Sequence, residues 1–474
     1  MEFWFPFKYV PRDSRIVIYG AGKVGQEYFW QVKETEYAQV VCFADMHPEK
    51  YKGLDIPVIA PYEISDWTFD FVVVAVKSLE YGEDIVCRLN NLGVNADKII
   101  FKHLSLKKIN IIRETETFID EKKLAFNKEP TFIPIAVRLN GGLGDMVVYK
   151  RLIEEVAKWD EHIIIDVFVQ MSQQEFVEEL LSNISNLGRV IGNDVQLFSV
   201  KENYAVAFDF GIDLDLLSTN IKRLRDRPLL VELLRNIVFV KDQYGADFTG
   251  ILSFVHYARC EKDGLWRYTA YNRYPGFSVD DYHTEVPLSV NYKEMWIQEF
   301  EKVSKYITLN YGWGRPQGRG LDRPQAKVWP LSYWRKLVIL LHERLSNYVI
   351  VQTGAEWVPK INGCDKYVLG RPLGFVKWLL AESALHIDIE GGLVHLATQL
   401  GTKCIVLFGP TPMEFYGYPD NINIRAGKCH NCYWLSTSMA ECYRRMDNPE
   451  CMISIDPEKV AEKATKFLTS INEK

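Results

Sequence analysis

The sequence predicts an α/β protein of three domains with parallel sheets, in which the second and third domains are two Rossmann-like halves. Three observations predict this. Apolar runs of strand length alternate with helical stretches along the chain, a pattern typical of parallel sheets. Glycine-rich turns follow strands near positions 20, 141 and 391. The 474 residues also exceed the usual size of one domain, so two or three domains are expected.

The first predicted domain, residues 1–105, opens with an apolar strand and a glycine turn that enters a helix. A second strand ends at an acid roughly 25 positions later, close to the spacing at which a dinucleotide fold places an acid on the ribose. The candidate nucleotide contacts are therefore Gly20, Gly22, Gly25 and Asp45. The alternative is that these glycines only let the helix pack closely on the strand. Residues 53–61 resemble the small nucleotide-sugar-binding unit that precedes some bacterial sugar-modifying enzymes.

The remaining chain is predicted to hold a linker and two further domains. Residues 106–129 are charged without an apolar period, which predicts the linker. The second domain, residues 130–300, contains strands near 133–138, 163–169 and 204–209. It ends in an aperiodic stretch, 254–290, rich in Tyr, Trp, Arg and Asp, predicted to be an insertion that lines a cleft or only packs. The third domain, residues 301–474, has strands near 306–310, 347–352, 385–389 and 403–408.

Composition excludes several classes of protein. Apolar residues make up 47% and charged residues 25% of the chain, as in an ordinary globular protein with a large core. A net charge of −6 argues against a nucleic-acid binder held by phosphate contacts. No run reaches the ~20 apolar residues that span a bilayer, and the start lacks a signal-peptide pattern. We expect a cytoplasmic protein, which an acceptor made at the inner membrane would bring to that surface.

Two glycine turns in the second and third domains predict a cleft that binds an anion. They comprise Asn140, Gly141, Gly142, Gly144 and Asp145 in one, and Glu390, Gly391, Gly392 and His395 in the other. Glycine lets backbone N–H groups approach a phosphate, and the helix N-terminus behind each turn favours negative charge. A third glycine-rich stretch, residues 311–323, carries Arg315 and Arg319. Guanidinium groups bind phosphate in bidentate fashion, although such a loop can also be merely solvated.

A family resemblance follows from the order and spacing of these motifs. Residues 131–474 resemble the ADP-heptose:lipopolysaccharide heptosyltransferase family, a glycosyltransferase family 9-like group, with its first-half turn at Asn140 to Asp145. The third-domain motifs that match are Lys327-Val328-Trp329-Pro330, Trp334, Gln352-Thr353-Gly354, Glu390-Gly391-Gly392 with His395, and Phe408-Gly409-Pro410-Thr411. The chain departs from the family at one place, since the family usually has Asp then Ser or Thr where this chain has Glu390 and Gly391.

The resemblance implies a GT-B fold whose halves bind acceptor and nucleotide-sugar donor across a cleft. It implies an inverting transfer of a sugar, such as the heptose of ADP-heptose, to a glycan, lipid-linked or protein hydroxyl, without a cofactor. Asp145 would be the catalytic base, or alternatively a helix cap. Lys327 would hold the diphosphate. The other donor contacts would be Thr353, Gly354, Glu390, Gly391, Gly392, His395 and Thr411, with His395 alternatively structural.

Two other functions remain open from the sequence alone. One is a regulatory or scaffold protein that binds a nucleotide sugar without transferring it, and retention of Asp145, Lys327 and the Glu390 turn favours an enzyme instead. The other is an NAD-dependent oxidoreductase, which rests only on the first glycine turn and its acid.

Four of the nine cysteines form a separate signal near the C-terminus. Cys429 and Cys432 make a CxxC motif, and Cys442 and Cys451 follow. Four thiols suffice for a tetrahedral zinc or iron ion. The uneven spacing and the frequency of free buried cysteines leave a metal-free alternative.

Overall fold

The computed structural model describes residues 3, 5–102, 123–127, 131–211, 213–243, 260, 262–312, 326–427, 429–433, 442, 444 and 446–472. Arg315 and Arg319 lie outside these residues. The described residues form two compact units. The first contains the residues up to Lys102 together with residues 260, 262 and 263, and the second contains the rest.

The first unit is built on a parallel sheet of five strands in the order β3-β2-β1-β4-β5. Its elements are Arg15–Tyr19 (β1), Lys23–Thr35 (α1), Gln39–Ala44 (β2), Val58–Ile59 (β3), Phe71–Val74 (β4), Leu79–Asn91 (α2) and Ile99–Ile100 (β5). The apolar run of β1 is buried at the sheet centre. The strand order reverses between β1 and β4, which is the Rossmann arrangement.

The second unit contains two sheets, and the first of them is the sheet of the predicted second domain. Its strand order is β10-β9-β6-β7-β8, with only β10 antiparallel to its neighbour. The elements are Ile133–Leu139 (β6), Leu143–Ala157 (α3), Ile163–Phe168 (β7), Gln174–Leu181 (α4), Leu187–Ile191 (β8), Gln196–Val200 (α5), Val206–Phe210 (β9), Leu214–Thr219 (β10) and Pro228–Gln243 (α6).

The other sheet of the second unit has six parallel strands in the order β13-β12-β11-β14-β15-β16. The strands are Tyr306–Asn310 (β11), Val349–Gly354 (β12), Lys366–Leu369 (β13), Leu385–Ile389 (β14), Cys404–Phe408 (β15) and Ile422–Arg425 (β16). The helices are Val290–Phe300 (α7), Leu331–Arg344 (α8), Leu373–Ala381 (α9), Gly392–Gln399 (α10), Met413–Tyr416 (α11), Glu450–Ile453 (α12) and Pro457–Asn472 (α13). The predicted fold, two Rossmann-like halves preceded by a third Rossmann-like domain, is confirmed.

Two segments pack differently from the predicted domain limits. Residues 124–126, inside the predicted linker, are buried against the second domain's sheet, where the Ala125 N–H donates to Asp166 Oδ2 at 2.6 Å. Helix α7 lies before the predicted boundary at 300, yet its apolar face packs with Tyr306 and Phe375 of the third domain. Both segments are short, so their packing partner is decided by tertiary contacts rather than by local pattern. Within the described residues, no helix is long and apolar enough to cross a membrane.

Candidate active site

Each glycine turn of the second unit lies between a central strand of one sheet and the N-terminus of the helix that follows it. One follows β6 and starts α3, and the other follows β14 and starts α10. At the first turn Gly141 has φ +155°, and a Cβ built on it would overlap the Asp145 carboxylate. This position therefore requires glycine.

The N-terminal ends of α3 and α10 pack directly against each other. A Cβ built on Gly392 would lie 2.8 Å from Leu143 Cβ, and one built on Gly144 would overlap the His395 ring. The two turns can approach this closely only because both positions lack a side chain. Because each helix N-terminus carries partial positive charge, the junction is suited to an anionic ligand.

Asp145 sits in the first turn of α3 with both carboxylate oxygens engaged. Its Oδ2 accepts the Gly142 N–H at 2.8 Å, the hydrogen bond of a helix cap. Its Oδ1 lies 3.3 Å from Nη2 of Arg267. The side chain is 36% exposed, so the oxygens retain access for a further partner.

Lys327 and Glu390 form a buried ion pair on the other side of the junction. Lys327 Nζ donates to Glu390 Oε2 at 2.7 Å. Burial alone would lower the pKa of Lys327, but the charges of Glu390 and Tyr433 and the hydrogen bond raise it above its usual range. The ammonium also lies 4.4 Å from the Tyr433 ring centroid. Lys327 is therefore charged, and an ammonium with three donors keeps capacity for a ligand beyond its one bond to Glu390.

His395, in the first turn of α10, is buried between these groups. Its Nδ1 is 2.7 Å from the Tyr418 hydroxyl and its Nε2 is 4.0 Å from Glu390 Oε1. Burial lowers the pKa of His395, with Glu390 and Asp145 opposing that shift. Asp145 likewise raises the pKa of Lys327. The structure thus brings Asp145, Lys327, Glu390 and His395, predicted from separate motifs, into one cluster.

Arg267 belongs to this cluster although the sequence analysis did not single it out. It lies in the aromatic stretch predicted as an insertion, and its guanidinium is the partner of Asp145 Oδ1. The same stretch contacts the third domain, because the Tyr268 hydroxyl is 2.8 Å from that of Tyr418. The one sequence signal was an arginine among tyrosines and tryptophans in an aperiodic segment.

The other predicted donor residues lie at ends of strands in the third domain. Thr353 and Gly354 end β12, where Gly354 has φ +142° beside the Asn310 side chain. Thr353 is fully buried and its Oγ1 has no hydrogen-bond partner. Thr411 is buried just after the turn that follows β15. In the turn predicted to face the sugar acceptor, the Tyr149 hydroxyl donates a hydrogen bond to the Asn140 carbonyl at 2.9 Å.

The cysteine segment packs on the turn after β15. The N–H groups of Cys432 and Tyr433 both donate to the Pro410 carbonyl, at 2.8 and 2.9 Å. A hydrogen bond from Cys432 lowers the pKa of Cys429 to about 6. The hydrogen bond to Cys429 and burial raise the pKa of Cys432, and burial raises the pKa of Cys451. Within the described residues, no three His, Cys, Asp or Glu side chains are arranged as metal ligands.

In the first unit, the residues of the predicted nucleotide-binding turn mainly contact one another. Gly20 has φ +107°, and a Cβ on Gly25 would overlap the Gly20 carbonyl, so α1 packs tightly on β1. The Asp45 carboxylate accepts the N–H groups of Ala21, at 2.9 Å, and His47, at 3.0 Å. Gly22 has open space above it, with only the Tyr51 hydroxyl within 4 Å. These contacts explain the glycines and the acid through local packing, and a nucleotide there stays a prediction.

Two family models match the chain. Residues 319–451 match glycosyltransferase family 9 (heptosyltransferase), and residues 12–100 match the C2185-like N-terminal family. None of the curated proteins matches the chain.

Similar solved structures match the chain at low identity. ADP-heptose LPS heptosyltransferase II of E. coli is 16% identical, with a TM-score of 0.42 over 72% of this chain and 99% of that one. The iron-containing dodecameric glycosyltransferase TibC of enterotoxigenic E. coli is 14% identical, with a TM-score of 0.49 over 73% and 81%. The E. coli heptosyltransferase WaaC with ADP-2-deoxy-2-fluoro heptose is 14% identical, with a TM-score of 0.37 over 70% and 99%.

Proposed function

We propose that this chain, a glycosyltransferase of the family 9 (heptosyltransferase) type, transfers a heptose from a nucleoside-diphosphate donor to a hydroxyl acceptor with inversion. The observation that carries the proposal is the junction of α3 and α10. There a partly exposed carboxylate from one half, Asp145, lies in the same cluster as the buried Lys327–Glu390 pair of the other half.

In the proposed reaction Asp145 acts as general base. It takes the proton of the acceptor hydroxyl while that oxygen attacks the anomeric carbon. The bond from this carbon to the diphosphate oxygen breaks on the opposite face, and the leaving group keeps the electron pair. One displacement inverts the anomeric configuration. Lys327 and the N–H groups at the start of α10 would stabilise the negative charge that develops on the diphosphate.

The donor assignment rests on the description of the matched family and on the charges at the junction. The family is described as heptosyltransferase, which supports an activated heptose, and TibC and WaaC have been solved with ADP-heptose or its analogue. A diphosphate fits beside Lys327 and the helix N-termini. Glu390 and Gly391 stand where the family usually has Asp and Ser or Thr, so donor contacts differ in detail there.

The acceptor side is suited to hydroxyl groups. Three buried polar atoms near the Asn140 turn have no hydrogen-bond partner: Gln173 Oε1, Asn193 Nδ2 and Asp209 Oδ1. Leaving such atoms unpaired costs about 1–3 kcal/mol each. Hydroxyls both donate and accept, so a glycan, lipid-linked or protein hydroxyl acceptor would match both kinds of atom. A membrane-bound acceptor would also bring the protein to the membrane surface.

The four cysteines near the C-terminus are further proposed to hold one structural zinc or iron ion, which would draw together thiols that the described structure does not arrange as a ligand set. The Cys429 and Cys432 thiols are hydrogen-bonded to each other, and Cys432, Cys442 and Cys451 are buried. Cys429 and Asn431 have positive φ angles of 51° and 58°, so the CxxC turn curls in a conformation that costs energy unless something stabilises it. Bound metal would order the segment that contacts Pro410, and the transfer itself needs no step through it.

The test of the function is Asp145→Asn. Asparagine keeps an oxygen for the Gly142 N–H but cannot take a proton, so turnover of ADP-heptose should fall about 10²- to 10⁴-fold. Turnover is measured as ADP release, and donor affinity by calorimetry should change little.

The matched control is Glu63→Gln. The Glu63 carboxylate accepts the Ala60 N–H at 2.7 Å in the same capping arrangement, but in the first unit. It should keep parental turnover. Parental turnover in Asp145→Asn would reduce Asp145 to a helix cap and remove the catalytic assignment.

A further inference from the structure

Arg267 is a buried cation that contacts two aromatic rings, a carboxylate and a backbone carbonyl. Its side chain is 2% exposed. The guanidinium carbon lies 5.4 Å from the Tyr149 ring centroid and 5.8 Å from that of Tyr271. Its Nη2 is 3.3 Å from Asp145 Oδ1 and 3.3 Å from the Gly211 carbonyl. Burying a charge is costly unless it is paired, and Asp145 is the carboxylate that it meets.

The contacts of Arg267 fix the direction of the Asp145 carboxylate. Oδ2 is held by the Gly142 N–H on the helix side, and Oδ1 is held by the guanidinium on the other. The Tyr149 and Tyr271 rings pack against the guanidinium and restrict its movement. With both oxygens anchored, the remaining lone pairs have a set orientation, which general base catalysis requires.

Arg267 and the next residue, Tyr268, also form hydrogen bonds to the third domain, which is the proposed donor half. The Arg267 N–H donates to the Phe415 carbonyl at 2.9 Å. The neighbouring Tyr268 hydroxyl meets that of Tyr418, which in turn contacts His395. Arg267 therefore reaches Asp145 from a backbone that is attached to the third domain.

We propose that Arg267 is a positioning residue that orients the Asp145 carboxylate, and that its backbone bond to Phe415 couples this orientation to the donor half. The inference rests on the proposed function, because it gives Asp145 the role of base. It adds that the base is set in place by a residue of the aromatic segment, which is itself joined to the donor half.

The experiment compares Arg267→Ala and Arg267→Lys by ADP release from ADP-heptose. A misplacement of about 1 Å can cost on the order of 10²-fold in rate. We expect Arg267→Ala to lower kcat by about that factor while KM for ADP-heptose stays within about twofold. Lysine restores charge but not the fork geometry, so Arg267→Lys should recover only part of kcat.

Guanidinium ion, added far below unfolding concentrations, gives a readout that a merely structural role would not move. It should raise the kcat of Arg267→Ala by occupying the vacated site, and leave the parent and Asp145→Asn unchanged. The matched control is Arg151→Ala, which removes another buried arginine paired with a carboxylate, Glu155, on the outer side of α3. It should keep the parental kcat and show no response to guanidinium.

The outcomes separate this inference from the function beneath it. Parental kcat in Arg267→Ala, or a loss in KM alone, overturns the positioning role while leaving Asp145 as base. The absence of guanidinium rescue in folded Arg267→Ala also overturns it. If Arg267→Ala does not fold, a parental kcat in Arg267→Lys overturns the positioning role instead. Parental kcat in Asp145→Asn overturns the proposed function itself.

Discussion

At the scale of single residues, the contacts of Asp145 are compatible with both roles that the sequence presented as alternatives. Asp145 is not the N-cap itself, since α3 begins at Leu143, but its Oδ2 accepts the N–H of the N-cap residue Gly142 from the first turn of the helix. The carboxylate still has Oδ1 and a 36% exposed side chain, so the cap does not preclude a base. The sequence identified Asp145 through its turn. It indicated Arg267 only as one arginine of the aromatic stretch, because the two residues meet only through tertiary structure and that stretch has no periodicity.

Lys327 carries the first prediction at this scale. Lys327→Met removes the ammonium but keeps an apolar stem of similar length. A hydrogen bond to a charged group contributes about 1.5–3 kcal/mol, so ADP should bind roughly 10- to 100-fold more weakly. Calorimetric titration of ADP measures this. The free energy of unfolding should also fall, because Glu390 is left buried and unpaired.

The control for Lys327 is a second buried lysine with the same kind of partner. Lys377 Nζ is 2.7 Å from Glu179, and its side chain is fully buried. Lys377→Met should therefore lose stability in the same way and bind ADP as the parent does. Equal ADP affinities in the parent, Lys327→Met and Lys377→Met would show that Lys327 does not bind the diphosphate. An equal loss in both variants would make the effect one of stability.

At the scale of elements, sequence pattern predicted the central strands and missed edge strands. The strands β1, β11 and β14 have the predicted bounds, because each is central in its sheet, almost wholly buried, and carries an apolar residue at least at every second position of its core. The sequences of β13 and β16 mix charged and apolar residues and are only partly buried. Each lies at an edge of its sheet, where only one neighbouring strand reinforces the pattern.

The meeting of α3 and α10 was only half predictable. Two glycine turns indicated a cleft. The structure shows in addition that Gly144 and Gly392 lack side chains where the helix of the other turn packs against them. A Cβ on Gly144 would overlap His395, and one on Gly392 would crowd Leu143. Glycines in a turn of the ligand-binding type thus also allow close contact between helices, and sequence alone does not separate these two reasons for a glycine.

The cysteine segment gives the prediction at the element scale. If the four thiols hold one ion, elemental analysis of protein purified without chelators should find about one zinc or iron per chain. Cys432→Ser should lower that content, because it removes a ligand from the CxxC turn. Cys364→Ser should retain it, since Cys364 is a buried cysteine of the third domain's core, outside this segment. Metal-free parent protein, or equal content in the two variants, would reject the site.

At the scale of the whole molecule, the chain divides into two compact units that correspond to separate family matches. The first unit includes residues 12–100, matched by the C2185-like N-terminal family, and the glycosyltransferase family 9 match begins at residue 319. The alternation of strands and helices made the first unit predictable as Rossmann-like. Its ligand was not predictable, because the glycines and Asp45 that would bind a nucleotide are also needed for the turn itself.

The division into units predicts two unfolding transitions in calorimetry of the full chain, since proteins with several compact units depart from two-state behaviour. A ligand that binds only one folded unit stabilises that unit by mass action. ADP should therefore raise the transition of the second unit and leave the first unchanged. Gly25→Ala identifies the first transition: its Cβ would overlap the Gly20 carbonyl, and overpacking costs about 1–3 kcal/mol. The midpoint should fall by several degrees, as ~1 kcal/mol shifts a domain of this size by roughly 4–8 °C.

Gly22→Ala is the matched control, because Gly22 has an ordinary φ of −72° and a Cβ there would come no closer than 3.7 Å to the Tyr51 hydroxyl. It should leave both midpoints near those of the parent. In Gly25→Ala the shift produced by ADP should persist in full, since Lys327 and the α10 turn are untouched. If Gly25→Ala instead abolishes the ADP shift while the second transition stays in place, the nucleotide binds the first unit, and the donor site proposed at Lys327 is wrong.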